Sequence, residues 1–187
     1  MALTAIDARP ALVVIDLQKG ITQSHPGQDT ATTVRHSSEL AAAFRRHELP
    51  VVLVNVTGRA PGRTDAGGGG TVALPPGWAD LNDELDVQPT DHLITKRRRS
   101  AFHDTGLDTL LRDLGVTQIV LTGIATASGV ESTARSAADH GYHVVLATDA
   151  MNDPDVDSHR HSIERVFPKL GETATTADVI DMMENSR

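Results

Sequence analysis

The chain contains no cysteine, few aromatic residues and no long hydrophobic run. Its 187 residues include no Cys, three Phe, one Trp and one Tyr. The absence of cysteine excludes disulfide bonds, zinc or iron–sulfur sites with Cys ligands, and a cysteine nucleophile. No apolar stretch approaches the ~20 residues that span a bilayer, so we expect no membrane segment. With so few aromatics, the core must be built from aliphatic side chains.

Charge and length narrow the class of protein further. The formal net charge is −8 at pH 7, which argues against non-specific nucleic-acid binding through overall charge. Residues 1–10 lack a basic segment followed by an apolar run, so they do not read as a secretion signal, and we expect a cytoplasmic protein. A chain of this length predicts a single domain over residues 1–187.

Five short aliphatic runs predict five β-strands. The runs are rich in β-branched residues, and their apolar positions are nearly continuous rather than alternating. This pattern is typical of strands that are covered on both faces, as in a parallel sheet. The runs lie at residues 11–16, 51–56, 92–96, 118–124 and 142–147.

Segments of helical length separate these runs. The alternation of strand and helix predicts a doubly wound α/β fold, in which ligands bind beyond the carboxyl ends of the strands. One long segment, 58–77, interrupts the alternation and includes four consecutive glycines at 67–70, so we expect a flexible loop there. The predicted helices cover residues 32–47, 107–114, 130–140, 159–167 and 177–183.

Two charged residues end predicted strands, where a ligand site would form. Asp16 ends the first run, where burial would raise its pKa and a neighbouring cation would lower it. A carboxylate there serves either as an acid–base group or as a cap for the following turn. Lys96 ends the third run and begins four consecutive cations. One or two of these could face the cleft and bind an anionic substrate, whereas Arg97 and Arg98 are expected in a solvated turn.

A segment of small residues, 123–129, joins the fourth strand to the next helix. Its small residues let a ligand approach the backbone, and the N–H groups at a helix start favour anions. The same pattern also occurs as ordinary strand–helix packing. The segment is therefore a candidate anion-binding turn or a packing feature.

No metal or cofactor site is expected. Of the nine histidines, His159 and His161 are two residues apart, and such a pair does not share a helix face. Four aspartates that follow the fifth run would either bind a cation or cap a helix, and we favour capping. They are Asp149, Asp153, Asp155 and Asp157.

Three motifs together resemble the isochorismatase-like hydrolase superfamily, which includes nicotinamidases and other amide hydrolases. They are VVIDLQ at 13–18, KRRRSAF at 96–102 followed by Thr105 and Leu107, and TGIATASGVESTA at 122–134. Their order and spacing extend the resemblance over nearly the whole chain. The resemblance implies a doubly wound, six-stranded, mostly parallel sheet flanked by helices, a Rossmann-like three-layer sandwich. A sixth strand would then lie near residues 172–175.

The resemblance also implies site residues and partners. Most members use an Asp, a Lys and a Cys, and they tend to place a cis peptide before the nucleophile, here between residues 124 and 125. Backbone N–H groups near the nucleophile would act as oxyanion donors. A small-molecule substrate and a homo-oligomer, dimer or tetramer, are implied as well. The implied catalytic positions are Asp16, Lys96 and Gly129, and the implied substrate-binding positions are Gln18, Ala125 and Ser128.

Gly129 departs from the family pattern, because it stands where most members have the nucleophilic cysteine. The chain has no cysteine elsewhere, so thiol-dependent amide hydrolysis is excluded. The Asp-x-His signature of the metal-binding nicotinamidases is also absent after Val56. The resemblance therefore implies the acid–base residues without the thiol.

Three hypotheses remain open. In the first, Asp16 acts as general acid or base and no covalent intermediate forms, as in members that hydrolyse vinyl ethers and also carry glycine here. The turn lacks the aromatic and His residues of those enzymes, which leaves the substrate open. In the second, Ser128 or Thr126 replaces the thiol, although we favour Ser128 as a helix N-cap. In the third, the fold is retained in a non-catalytic binding protein. We expect the first, a hydrolase.

Overall fold

Six strands form one parallel sheet in the computed structural model, which describes residues 3–25, 28–65 and 73–186. The sheet order is β3-β2-β1-β4-β5-β6, and every neighbouring pair is parallel. The predicted α/β fold and the sixth strand are confirmed. The strands are β1 (Pro10–Ile15), β2 (Val51–Val56), β3 (His92–Lys96), β4 (Gln118–Ile124), β5 (His143–Asn152) and β6 (Glu172–Ala174).

Helices cover both faces of this sheet. The prediction missed the first helix, which has only six residues and therefore carries little periodic signal. The predicted helix at 159–167 begins earlier, because Asp155 caps it by accepting a hydrogen bond from the Ser158 N–H. The helices are α1 (Lys19–Ser24), α2 (Gln28–Arg46), α3 (Leu107–Asp113), α4 (Glu131–Asp139), α5 (Val156–His161) and α6 (Thr176–Asn185).

The central strand β1 shows why the sheet forms in the middle of the molecule. All six of its residues are buried. Because successive side chains of a strand point to opposite faces, Leu12 and Val14 pack into one core with α2 and α6, whereas Val13 and Ile15 pack into the other with α3 and α4. The nearly continuous apolar run of β1 thus contributes side chains to a hydrophobic core on each face of the sheet. The sheet and the helices on its two faces form three layers.

The strand order places the candidate site. From β1 the chain builds the sheet outward through β2 and β3, and then returns to place β4 on the other side of β1. Ligands in open α/β sheets bind at such a reversal, beyond the carboxyl ends of the strands. Asp16 follows β1 and the 123–129 segment spans the end of β4, so both lie at this point.

Two further expectations concern the surface of the chain. The glycines at 67–70, expected in a flexible loop, lie outside the described residues. No helix in the described ranges combines the length and hydropathy of a membrane span.

Candidate functional site

Asp16 lies just beyond β1 in an unusual backbone conformation. The strand ends at Ile15, and Asp16 has a φ of 54°, in the left-handed region that non-glycine residues rarely adopt. Its N–H still donates to the Val54 carbonyl at 2.9 Å. Holding a residue there costs about 1–3 kcal/mol, which surrounding contacts must offset. The conformation turns the chain out of the strand, and the Asp16 side chain is buried.

Lys96 pairs with this carboxylate from across the sheet. Its Nζ donates to Oδ2 of Asp16 at 2.7 Å and to the carbonyl of Arg98 at 3.1 Å. The two residues are 80 positions apart in the chain, and both are buried. Asp16 therefore does not cap the turn that follows it, and that alternative is wrong.

The second carboxylate oxygen of Asp16 has no partner in the described part of the chain. Oδ1 is buried and accepts no hydrogen bond from any described residue. Burial raises the pKa of Asp16 to about 6, and the Lys96 ammonium opposes this rise. Asp16 can thus exchange a proton near neutral pH, which suits a general acid or base.

Gly129 faces the ion pair from the end of β4. A Cβ built on this glycine would lie 3.3 Å from Oδ2 of Asp16, 3.7 Å from Nζ of Lys96 and 3.0 Å from Cγ2 of Ile15. A side chain at this position would thus begin within contact distance of both the acid and the cation. The structure brings the three implied catalytic positions together, and Gly129 itself contributes no side chain to the pair.

The turn that carries Gly129 is a π-helical turn, Thr126–Val130. The peptide bond between Ile124 and Ala125 is cis, as the family resemblance implied. Ala125 is the N-cap residue, so Ser128 lies inside the turn and the prediction that Ser128 is an N-cap is wrong. The half-buried Ser128 donates its backbone N–H to the Ala125 carbonyl at 3.0 Å.

His159 in α5 and Asp153 in the segment before α5 hold this turn by hydrogen bonds. The sequence alone did not assign this role to either residue. Oγ1 of buried Thr126 and Nδ1 of His159 share a hydrogen bond of 2.8 Å. Asp153 accepts a hydrogen bond of 2.8 Å from the Ala127 N–H. Burial lowers the pKa of His159, so its neutral ring is favoured. The only sequence signal for these contacts was the cluster of aspartates that follows the fifth run. The helix-capping role expected for that cluster is confirmed at Asp155, which caps α5.

Gln18 lies buried beneath the site, where its side-chain amide bonds the backbone. Its Oε1 accepts from the Val56 N–H at 2.8 Å, and its Nε2 donates to the carbonyls of Val56 at 3.1 Å and Trp78 at 3.3 Å. The amide therefore ties α1 to the end of β2 and to the segment before β3. Contact between Gln18 and a substrate, like that of Ala125 and Ser128, stays a prediction.

The remaining cations of the KRRR segment follow Lys96 and differ in exposure. Arg97 and Arg99 are exposed, and Arg98 is half-buried with its guanidinium donating to the carbonyl of Arg59 at 3.5 Å. Arg98 is therefore not a freely solvated residue as the sequence suggested. Among the described residues, no group of three or more His, Asp or Glu side chains is placed to hold a metal ion.

Sequence and structure comparisons find similar proteins over nearly the whole chain. The sequence profile of the isochorismatase domain matches residues 10–178. The isochorismatase family protein YwoC of Bacillus subtilis is 37% identical over 182 residues, covering 94% of this chain and 95% of YwoC. Streptothricin hydrolase of Streptomyces noursei is 33% identical over 141 residues, covering 75% of this chain and 48% of that protein. An isochorismatase family protein from Burkholderia thailandensis superposes with a TM-score of 0.91 and 40% identity over 96% of this chain and 98% of its own.

Proposed function

The chain belongs to the isochorismatase family of small-molecule hydrolases, and we propose that it hydrolyses its substrate without a covalent enzyme intermediate, using Asp16 as the general acid or base. The observation that carries this proposal is the absence of a side chain at Gly129, the position where most members of the family have their nucleophile. A Cβ there would lie 3.3 Å from Oδ2 of Asp16 and 3.7 Å from Nζ of Lys96, and we call this group of three residues the cradle. The acid–base pair is retained where the nucleophile is not.

The side chains near the cradle favour direct attack by water over a substitute nucleophile. Thr126 is fully buried, and its hydroxyl is bonded to His159. Ser128 is one residue away from the position whose Cβ would face the ion pair. A hydroxyl is also far less acidic than a thiol and needs a base within reach. No hydroxyl therefore replaces the thiol in this proposal.

The proposed chemistry uses the two carboxylate oxygens of Asp16 differently. Lys96 holds Oδ2, and the proton resides on the unpartnered Oδ1. With a vinyl ether, Asp16 would protonate the terminal alkene carbon, and water would add to the resulting oxocarbenium carbon and return a proton to the carboxylate. The hemiketal would then collapse to an alcohol and a carbonyl compound. Backbone N–H groups of Ala125 and Gly129, with Gln18 and Ser128 nearby, are the proposed substrate contacts.

The experiment that tests this proposal is a substrate panel with product detection. The panel contains isochorismate, nicotinamide and simple amides, and it is run with the wild-type chain and with Asp16→Asn. We expect turnover of at least one substrate and a loss of several orders of magnitude in Asp16→Asn. Asp86→Asn is the matched control, because Asp86 is exposed and also has a positive φ, of 46°. Full activity of Asp16→Asn would reject the mechanism.

A second candidate function rests on the same missing thiol. A protein that has kept the fold and lost the chemistry would bind a small molecule at this cradle without turning it over. Saturable binding of a panel member with no product would favour this binding function over hydrolysis. Retention of both Asp16 and Lys96 as a buried pair favours hydrolysis, because an ion pair without a role is costly to bury.

We also propose that the chain assembles as a homo-oligomer, a dimer or a tetramer, as the family resemblance implies. Sedimentation velocity at micromolar concentration tests this directly. A single species with the mass of one 19.9 kDa chain would reject it.

A further inference from the structure

We infer that the site accepts a small anionic molecule, and that a rim of five arginines beside the Asp16–Lys96 pair selects it. The rim comprises Arg59, Arg63, Arg97, Arg98 and Arg99. The inference rests on the proposed function, because it takes the Asp16–Lys96–Gly129 cradle as the place where the small molecule reacts.

The rim is in direct contact with the cradle. Lys96 Nζ, which bonds Asp16, also donates to the carbonyl of Arg98 at 3.1 Å, so the backbone of the arginine segment contacts the ammonium. The segment after β2 runs alongside, since the Thr57 N–H donates to the Lys96 carbonyl at 3.0 Å. Both segments that carry the rim therefore leave the sheet next to the cradle.

The two segments pack on each other and form one surface. The guanidinium of Arg98 donates to the Arg59 carbonyl at 3.5 Å. A Cβ at Gly58 would lie 3.2 Å from Cβ and Cγ of Arg97, so the backbones approach closely there. The segments that carry the arginines of residues 57–65 and 96–99 thus pack side by side next to Lys96.

The charge of this surface opposes that of the whole protein. The chain carries a net charge of −8, yet residues 57–65 and 96–104 contain six Lys or Arg side chains and only two acidic ones, Asp65 and Asp104. Within the described part of the chain, the rim makes one ion pair, Arg98 with the exposed Asp104 at 3.8 Å. Like charges held together without partners destabilise a surface, and a bound anion removes that cost.

Arginine also fits the geometry of small organic anions. Its planar fork of donors matches a carboxylate or phosphate in a bidentate manner. A field of one sign around a cleft raises the rate at which oppositely charged small molecules arrive by about 10–10³-fold. A substrate with its anionic group on the rim would place its hydrolysable bond toward Asp16.

The absence of cysteine permits a test that needs no substrate. Gly129→Cys would place a single thiol in the cradle, and Ser128→Cys would place one at the next residue if the first variant does not fold. Each thiol is reacted with three methanethiosulfonates: anionic sulfonatoethyl, cationic trimethylammonioethyl and neutral methyl. Each rate is divided by the rate for the same variant unfolded in urea. We expect the normalised anionic rate to exceed the cationic rate by about tenfold or more at low salt.

Charge substitutions identify the source of this preference. Arg97→Gln/Arg99→Gln in the same background should reduce the anionic rate severalfold and leave the neutral rate unchanged. Arg35→Gln/Arg46→Gln is the matched control, because it removes the same charge from exposed positions of α2. Raising the salt concentration to about 0.5 M should shrink the preference, because it shortens the screening length.

The outcomes separate this inference from the proposed function. A normalised anionic rate equal to or below the cationic rate would overturn the anion selectivity alone. An anionic preference that the Arg97/Arg99 substitutions leave unchanged would overturn the assignment of that selectivity to the arginine rim. Failure of the neutral reagent to reach either thiol in the folded protein would overturn the proposed site and the anion inference together.

Discussion

Lys96 bonds only one of the two carboxylate oxygens of Asp16. Its Nζ lies 2.7 Å from Oδ2, whereas Oδ1 is buried without a hydrogen-bond partner among the described residues. An unmade hydrogen bond at a buried oxygen is costly when that oxygen is charged. This energetic cost falls when Oδ1 carries a proton or accepts a hydrogen bond from a substrate. The geometry therefore favours proton transfer at Oδ1.

The pH dependence of turnover should reveal the role of Asp16. Because its pKa lies at about 6, the protonated form predominates below that pH. If Asp16 is the general acid, kcat/KM for any substrate found should fall as pH rises through about 6. Asp86→Asn should keep the same inflection. A rise through this pH would instead identify Asp16 as a general base.

Removing Lys96 should shift the titration of Asp16 upward. The Lys96 ammonium lowers the pKa of Asp16, whereas burial raises it. In Lys96→Met only the burial effect remains, so the pKa of Asp16 should rise above 6. Carboxyl carbon NMR with labelled aspartate measures this without a substrate. Lys19→Met, which removes a partly exposed lysine paired with Asp83, should leave the Asp16 titration in place.

Gln18→Ala should destabilise the fold. The substitution removes three hydrogen bonds to the backbone of Val56 and Trp78 and leaves a buried space. We expect a loss of about 2–4 kcal/mol in the free energy of unfolding, measured by urea denaturation. Gln88→Ala is the control, because the side chain of Gln88 donates a single bond, to the Asp86 carbonyl at an exposed position. Equal stabilities of the two variants would contradict this account of Gln18.

Gly20→Ala should displace the only tryptophan. A Cβ at Gly20 would overlap the indole ring of Trp78, so the ring or the helix must move. We expect a shift in the wavelength of Trp78 fluorescence emission and a lower midpoint of thermal unfolding. Gly62→Ala should change neither, since no described residue lies within 4 Å of the Cβ it would add. An unchanged spectrum in Gly20→Ala would mean that Trp78 does not pack on α1.

Local pattern was enough to predict five of the six strands, and the sixth was implied only by the family resemblance. The aliphatic runs predicted these five because a strand buried on both faces leaves a continuous apolar signature, although β5 continues five residues beyond its run, to Asn152. Short elements escaped, as α1 did, and so did the π-helical form of the turn at Thr126–Val130. The mistaken N-cap at Ser128 has the same origin, since a shift of a few residues in a helix start leaves no mark in composition.

The absence of cysteine was readable from composition, and it excluded a thiol mechanism before any fold was known. The proximity of Asp16, Lys96 and Gly129 depends instead on the order of four strands, β3-β2-β1-β4, which brings residues far apart in the chain to one edge. The same packing desolvates Asp16, leaves its Oδ1 without a partner among residues 3–25, 28–65 and 73–186, and raises the pKa of Asp16 to about 6. Burial and through-space charge are properties of assembled neighbours, so no run of residues encodes them by itself.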